Sequence, residues 1–325
     1  MRICQCSVVV PVYNARLTLH ALLDGLGKVL PTVCEQFEVI LVNDGSQDGS
    51  WDAICELAGE HHWIHGINLT RNYGQHNALL CGIRAAKYHV VVTMDDDLQH
   101  PPEEIRKLLA KLGEGYDVVY GTPQEERHGF WRDLASRMTK LTLQSTMGAE
   151  TARNASAFRA FRTQLRDVFA DYQAPFVCID VLLTWATTRF GAVLVRHAPR
   201  QIGRSNYTLR RLWSHALNMM TGFSVLPLQL ASAVGFAFTL FGVLVLFFVV
   251  GRYLIQGGSV PGFSFLASII AIFSGVQLFS LGIVGEYLAR IYLRAMRRPA
   301  YTIGCDTTTD TADMGFKDNG RRFGR

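Results

Sequence analysis

Residues 92–103 read VTMDDDLQHPPE and hold the densest run of chemically useful side chains in the chain. Three carboxylates, Asp95, Asp96 and Asp97, follow an apolar strand directly, and two prolines then mark the start of a helix. Ligands of α/β sheets bind outside the carboxyl ends of the strands, which is where these side chains would lie. Hard oxygen donors suit Mg²⁺ or Mn²⁺, and such an ion neutralises a substrate diphosphate. For an isolated acidic triplet, a turn exposed to solvent is the ordinary alternative.

Two further polar residues suit contacts with a nucleotide or a phosphate. Asp44 ends an apolar strand in the sequence Asn-Asp-Gly-Ser, where its carboxylate is suited to hydrogen-bond a uracil or ribose edge. A turn-forming aspartate that bonds backbone N–H groups is the structural alternative. Arg200 carries a planar guanidinium, which binds phosphate through two parallel hydrogen bonds, although a surface cation beside anionic lipid would look the same in sequence.

The elements that must position these residues alternate between strand and helix over residues 5–125. This alternation predicts an α/β domain with a doubly wound, mostly parallel sheet. No GxGxxG motif occurs, so a dinucleotide-type phosphate loop is not supported. The expected strands cover residues 7–10, 37–42, 63–69, 89–94 and 116–120, and the expected helices cover residues 17–30, 50–58, 75–86 and 102–112.

Two long apolar runs follow, Leu230–Val250 and Phe263–Val284. Each contains about 20 residues, enough to cross a hydrocarbon core, whereas buried core helices are usually shorter. The loop between them holds one basic residue, Arg252, while arginines cluster on both outer sides of the pair. The positive-inside rule therefore predicts a multi-pass inner-membrane protein with its soluble domain and both termini in the cytoplasm.

Composition argues against several other classes of protein. The net charge of +5 on 325 residues is too weak to indicate a nucleic-acid partner. Residues 1–30 show no signal peptide, because polar and charged residues interrupt any apolar region. The seven cysteines form no CxxC pair and are expected to be inert, small apolar residues in a reducing compartment.

Five segments are expected along the chain. Residues 304–325 are polar and rich in Thr, Asp and Gly, which is typical of disorder. Residues 201–228 are basic and aromatic, which is typical of a helix at a membrane surface. The segments are a cytoplasmic catalytic domain (1–200), an interfacial amphipathic linker (201–228), two transmembrane helices (229–286), a basic juxtamembrane segment (287–303) and a disordered tail (304–325).

Several sequence blocks together resemble one family. DDDLQHPPE is similar to the D-x-D-L-Q-x-P-P-E signature of the polyprenyl-phosphate glycosyltransferases, the dolichol-phosphate-mannose-synthase-like branch of glycosyltransferase family 2. The resemblance extends over roughly residues 5–300. Within this family, the chain is most similar to the bacterial enzymes that load a sugar, such as aminoarabinose, onto undecaprenyl phosphate. The other blocks, in family order, are VVVPVYN at 8–14, VNDGSQDGS at 42–50, RNYGQHNAL at 71–79 and RQIGRSNY at 200–207.

The resemblance implies a GT-A fold that binds a nucleotide-sugar. Asp96 replaces the small residue usual between the two family aspartates, and repulsion between adjacent carboxylates favours its pointing into solvent over its joining the metal site. The resemblance places Pro11, Tyr13 and Asp44 around the base and Asp95 near the ribose or the metal, and its ligands of Mg²⁺ or Mn²⁺ are Asp95, Asp97 and Gln99. Asp96, Arg71 and Arg127 are expected as further contacts to the nucleotide-sugar, outside what the family pattern assigns.

The resemblance also implies the reaction: inverting transfer of a sugar to polyprenyl phosphate on the cytoplasmic leaflet. Asp97 and Arg200 are then the catalytic residues, and Arg200, Ser205 and Tyr207 bind the acceptor phosphate. The sugar, the nucleotide, the lipid chain length and the oligomeric state stay open, with a homo-oligomer expected only by analogy.

One departure from the family supports a rival interpretation. The family segment G-D-F-R-L appears here with Ala157 in place of its acidic residue. A phosphate acceptor needs little deprotonation, so this loss need not abolish catalysis. Asp180 either substitutes for the missing acid or is a buried, paired structural residue. The alternatives are a catalytically silent membrane scaffold and, less favoured because no Q-x-x-R-W motif occurs, a processive polysaccharide synthase.

Overall fold

The computed structural model describes residues 5–123, 154–174, 176–198, 225–256 and 262–309. The chain divides into two compact units, one formed by residues 1–208 together with 297–325 and the other by residues 209–296. Most of the linker expected at 201–228 and the chain beyond residue 309 lie outside the described residues. Four residues expected in the site also lie outside them: Arg127, Arg200, Ser205 and Tyr207.

The first unit is an eight-stranded sheet flanked by helices. Its strands are β1 (Cys6–Val12), β2 (Phe37–Asn43), β3 (Ile64–Leu69), β4 (Val90–Thr93), β5 (Val118–Pro123), β6 (Arg159–Arg162), β7 (Phe190–Val195) and β8 (Ile303–Asp306). Its helices are α1 (Arg16–Val33), α2 (Ser50–Glu60), α3 (Gln75–Ala85), α4 (Ile105–Leu112) and α5 (Ile179–Ala186), with 3₁₀ helices at Pro102–Glu104 and Thr163–Phe169.

The strand order is β7-β5-β6-β4-β1-β2-β3-β8. The central strands pair in parallel, β4 with β1, β1 with β2 and β2 with β3, and β5 pairs in parallel with β7. Strands β6 and β8 run antiparallel to their neighbours. The predicted doubly wound, mostly parallel sheet is therefore confirmed, with two antiparallel strands added to it.

The central strands are mostly apolar, as expected for strands whose two faces are both covered by helices. All seven residues of β1 are buried. Side chains alternate between the two faces of a strand, so Val8 and Val10 pack in the cluster that contains α1, while Val9 packs in the cluster that contains α3. The connections between strands and helices consequently lie at the ends of the strands, and the site residues are found in the connections at the carboxyl ends.

The expectation of a disordered tail from Gly304 is wrong for residues 304–309. Strand β8 adds to the outer edge of β3, and the two strands are held by backbone pairing and by a contact between His65 Nε2 and Asp306 Oδ1 at 2.9 Å. Just before β8, the Asn77 side-chain amide donates to the Ala300 carbonyl at 2.6 Å. Polar composition indicated disorder, but Asp306 and Thr307 of this segment bond to His65 and Gly66 of β3.

The second unit contains two long helices, α6 (Leu226–Gln256) and α7 (Phe263–Ala295). Two stretches within them, Pro227–Arg252 and Ile272–Ala295, are long and apolar enough to cross a membrane, and neither is buried within the protein. Helix α7 continues nine residues past Glu286, so the first half of the segment expected as a separate juxtamembrane stretch is helical. These helices indicate a membrane protein.

Candidate active site

Three loops meet at the carboxyl edge of the central strands, because β1 lies between β2 and β4 in the sheet. The loop after β1 contacts the loop after β4 through the Tyr13 N–H, which donates to Asp96 Oδ2 at 3.2 Å. It contacts the loop after β2 through the Asn14 N–H, which donates to Ser46 Oγ at 2.9 Å. The structure therefore brings Tyr13, Asp44 and the aspartate triplet to one edge of the sheet.

The side chains from Asp95 to Gln99 are half-buried at the end of β4. Asp95 Oδ1 accepts a hydrogen bond from the Gln75 side-chain amide at 2.7 Å, and Asp97 Oδ1 accepts one from the Gln99 N–H at 3.1 Å. Leu98 has a positive φ of 59°, a conformation that is uncommon for residues other than glycine. The loop is thus tightly folded, with two carboxylates already oriented by hydrogen bonds.

Asp96 does not point away into solvent, and that expectation is wrong. Its carboxylate turns back toward β1 and binds the Tyr13 N–H. Burial raises the pKa of Asp96 to about 7, the backbone hydrogen bond from Tyr13 lowers it, and the carboxylates of Asp95 and Asp97 raise it further. With a pKa of about 7, Asp96 is partly protonated at neutral pH, which reduces the like-charge repulsion on which the solvent orientation was argued.

Asp44 is buried and fastens the loop that precedes α3. Its Oδ1 accepts from the Tyr73 N–H at 2.7 Å, and its Oδ2 accepts from the Gly74 N–H at 2.8 Å. Burial raises the pKa of Asp44, against the effect of these two hydrogen bonds. The guanidinium of Arg71 in the same loop lies 4.6 Å from the centre of the Tyr73 ring. Asp44 therefore binds backbone, although it does so in a neighbouring loop and not in its own turn.

Asp180 is a paired structural carboxylate in this structure, which is the second of the two alternatives that the sequence left open. Its Oδ1 accepts a hydrogen bond from the Tyr120 hydroxyl at 3.0 Å and forms an ion pair with Arg159. The Arg159 side chain is 1% exposed, and its Nε donates to Thr93 Oγ1 at 3.1 Å. Asp180 thus neutralises a buried arginine under the end of β4, and this pairing accounts for its position.

Sequence reasoning missed two residues that shape the site, Gln75 and Glu104. Gln75 begins α3 and orients Asp95, and its place directly after the RNYG block was the available signal. Glu104 is buried at the end of the PPEE sequence, and a second glutamate beside the signature was its only signal. Gln75 lies 20 positions from Asp95, and Arg196 lies 92 positions from Glu104, so neither of these two contacts was readable from local pattern.

This sheet, with an aspartate loop at its carboxyl edge, is that of a GT-A-type glycosyltransferase. The chain belongs to glycosyltransferase family 2, whose model, described as glycosyl transferase family 2, matches residues 7–173. The match covers the strands that carry Tyr13, Asp44 and the aspartate triplet. The protein is thus a transferase, as the sequence blocks predicted.

Among known proteins, the chain is 33% identical over 317 residues to the undecaprenyl-phosphate 4-deoxy-4-formamido-L-arabinose transferase of Yersinia pestis. The alignment covers 95% of this chain and 97% of that one. The chain is 36% identical over 301 residues to the enzyme of the same name from Aeromonas hydrophila, covering 91% and 92%. These similarities include the region of the two long apolar helices.

A solved structure with the same fold is glucosyl-3-phosphoglycerate synthase from Mycobacterium tuberculosis, crystallised with Mn²⁺, UDP-glucose and phosphoglyceric acid. The TM-score is 0.50 at 19% sequence identity, and the alignment covers 67% of this chain and 77% of that one. The likeness supports the GT-A-type fold of the first unit.

Proposed function

We propose that the protein transfers a sugar from a nucleotide-sugar to polyprenyl phosphate, undecaprenyl phosphate in particular, with inversion. A phosphate oxygen of the lipid attacks the anomeric carbon while the bond to the nucleoside diphosphate breaks on the opposite side. The observation that carries the proposal is the convergence of three loops beside the Asp95–Asp97 triplet. It is supported by similarity over 95% of the chain to a protein named for transfer to undecaprenyl phosphate.

A divalent cation, Mg²⁺ or Mn²⁺, fits the donor set of the loop after β4. The proposed ligands are the carboxylates of Asp95 and Asp97 and the side-chain oxygen of Gln99, all hard oxygen donors. The three residues lie within five positions of one another in a loop whose backbone is fixed by the Gln99 N–H on Asp97. When bound, the ion would offset the charge that develops on the departing diphosphate.

The nucleotide-sugar would lie against the loops after β1, β2 and β3. Tyr13 has an exposed ring beside the triplet, which suits stacking on a flat base. Pro11, Asp96, Arg71 and, outside the described residues, Arg127 complete the proposed donor contacts. Asp44 contributes by holding the loop that carries Arg71, since both of its carboxylate oxygens already accept backbone hydrogen bonds.

The acceptor phosphate would be bound by Arg200, Ser205 and Tyr207, which lie outside the described residues. Arg200 follows Ala198 by two positions in the sequence, and the Ala198 N–H donates to the Gln99 carbonyl at 2.8 Å. The chain therefore leads from the proposed metal loop into the proposed acceptor segment. An acceptor phosphate is already ionised at neutral pH, so catalysis does not need an acid at Ala157.

The proposed location is the inner membrane, with α6 and α7 crossing it and the catalytic unit on the cytoplasmic side. The basis is the distribution of arginines, which flank the two helices on their outer sides and are nearly absent between them. Cysteine-accessibility labelling in intact cells tests this orientation: residues introduced near Gly258 should react from outside, and residues introduced in α2 should not.

The decisive experiment is an incubation of the detergent-extracted protein with undecaprenyl phosphate, Mg²⁺ or Mn²⁺, and a panel of UDP-, GDP- and dTDP-sugars. Mass spectrometry of the lipids should show one sugar added to the lipid phosphate, lost with EDTA and in Asp97→Ala. The control variant is Asp24→Ala, which removes an exposed carboxylate from α1. A product that persists in folded Asp97→Ala would contradict the role given to the triplet.

A second candidate, a catalytically silent membrane scaffold, is favoured only by the alanine at position 157. It predicts metal-dependent nucleotide binding without any lipid product from any donor in the panel. It also predicts that Asp97→Ala leaves the function of the protein in cells unchanged.

A further inference from the structure

Glu104 is a buried acidic residue outside the set of proposed ligands. Its side chain is 3% exposed at the end of the 3₁₀ helix that follows the metal loop. Three donors surround it: Lys107 Nζ at 2.6 Å, Arg196 Nε at 2.8 Å and the Arg196 N–H at 3.2 Å. Burial raises the pKa of Glu104, but the hydrogen bonds from Lys107 and Arg196 outweigh burial and hold it below the usual range. The carboxylate is therefore charged at neutral pH.

The ion pair attaches the segment after β7 to the metal loop. From Arg196 onward, three consecutive residues contact residues 99–104. Arg196 binds Glu104, the rings of His197 and His100 lie 5.0 Å apart in an edge-on arrangement, and the Ala198 N–H donates to the Gln99 carbonyl at 2.8 Å. Arg196 Nε and its own N–H both bind Glu104, so the carboxylate fixes side chain and backbone together.

This attachment acts where the loop is under backbone strain. Leu98 has a φ of 59°, a conformation that is strained for a residue with a side chain and persists only when neighbouring contacts enforce it. Gln99, the next residue, is held on both sides of its backbone. Its N–H donates to Asp97 Oδ1, and its carbonyl accepts from Ala198.

We propose that Glu104 is a positioning residue for the metal loop. By holding Arg196, it keeps the Ala198 N–H on the Gln99 carbonyl, and thereby keeps Gln99 oriented to bind a divalent cation. The proposal rests on the proposed metal-binding role of Asp95, Asp97 and Gln99. Residues that orient metal ligands in this way change metal affinity by about 10–100-fold when they are replaced.

The test is a titration of the full-length protein in detergent with Mn²⁺, with free Mn²⁺ measured by its electron paramagnetic resonance signal. Glu104→Gln removes the charge at constant size, and Arg196→Met removes the partner while Lys107 still neutralises Glu104. Both should weaken Mn²⁺ binding about tenfold. Arg196→Lys restores a cation within reach and should bind within about twofold of wild type.

The matched control is Glu114→Gln, which breaks the ion pair between Lys111 and Glu114, also 2.6 Å long but on the surface. It should leave Mn²⁺ affinity unchanged. Thermal unfolding without metal identifies any variant that fails to fold. If Glu104→Gln fails to fold, the comparison of Arg196→Met with wild type tests the proposal. Wild-type affinity in folded Glu104→Gln and Arg196→Met, or equal weakening in Glu114→Gln, overturns the proposal.

The outcome is separable from that of the proposed function. Weakened Mn²⁺ binding in the two variants, with no lipid product from any donor in wild type, supports the positioning role and contradicts the transfer reaction. Lipid product from wild type without measurable Mn²⁺ binding contradicts the metal site, and the positioning role is overturned with it.

Discussion

Replacement of Asp44 by asparagine distinguishes loop support from direct recognition of a base. Asparagine keeps one acceptor oxygen, but its amide group then faces the N–H of either Tyr73 or Gly74. One hydrogen bond to a charged group is lost, worth about 1.5–3 kcal/mol, and one buried N–H is left without an acceptor, which costs a further ~1–3 kcal/mol. We take about 3 kcal/mol as the expected loss in the free energy of unfolding.

For a domain of this size, such a loss lowers the melting temperature by about 6–12 °C. The assay is thermal unfolding followed by intrinsic fluorescence in detergent, together with calorimetric titration of UDP. The control is Asp52→Asn, which changes an exposed carboxylate in the first turn of α2 and should melt like wild type. If Asp44→Asn melts within about 2 °C of wild type yet loses UDP binding, Asp44 recognises the base and the loop-support argument is refuted.

Three further predictions concern packing and ion pairs in the first unit. Gly82→Ala places a methyl group 2.4 Å from Val9 Cγ1 and should destabilise by about 1–3 kcal/mol in denaturant titrations, whereas Gly59→Ala meets nothing within 4 Å and should stabilise slightly. Arg189 holds the pKa of Asp117 below its usual range. The stability that this ion pair adds is therefore present above the pKa of Asp117 in the unfolded chain and is lost as pH falls through its lower pKa in the folded protein. Asp117→Asn should make the melting temperature fall less steeply toward acidic pH. Asp180→Asn leaves a buried arginine without its counter-ion and should cost about 3–5 kcal/mol, and a loss below about 1 kcal/mol would contradict the pairing.

The parts of the fold that were predictable are those that local pattern determines. Strands β1 to β4 are apolar runs ended by polar turns, and the helices between them show apolar spacing, so both their order and their approximate ends could be read from the sequence. The aspartate triplet was predictable for the same reason, because it directly follows such a run. These features depend on residues that are adjacent in the chain.

The features that were missed depend on partners far away in sequence. Strand β6 contains Arg159, a poor sign of a buried strand, and only the distant Asp180 explains its burial. Strand β8 has only four residues and is mostly exposed, and its pairing with β3 joins residues more than 200 positions apart. The predicted orientation of Asp96 was wrong because it was based on charge repulsion alone and did not take account of the Tyr13 N–H. A single sequence gives no information about such pairs.

The position of β8 has a consequence for how the protein is made. The sheet begins at Cys6 and is completed only at Asp306, so the two apolar helices are an insertion within a single folding unit. A ribosome must synthesise both helices before the last strand exists, which at about 5–20 residues per second takes roughly ten seconds or longer after β3 has emerged. During that interval the outer edge of β3 exposes unpaired N–H and C=O groups, a template for aggregation. Synthesis of both helices therefore precedes completion of the sheet, and a fragment shortened before residue 303 should retain that open edge permanently.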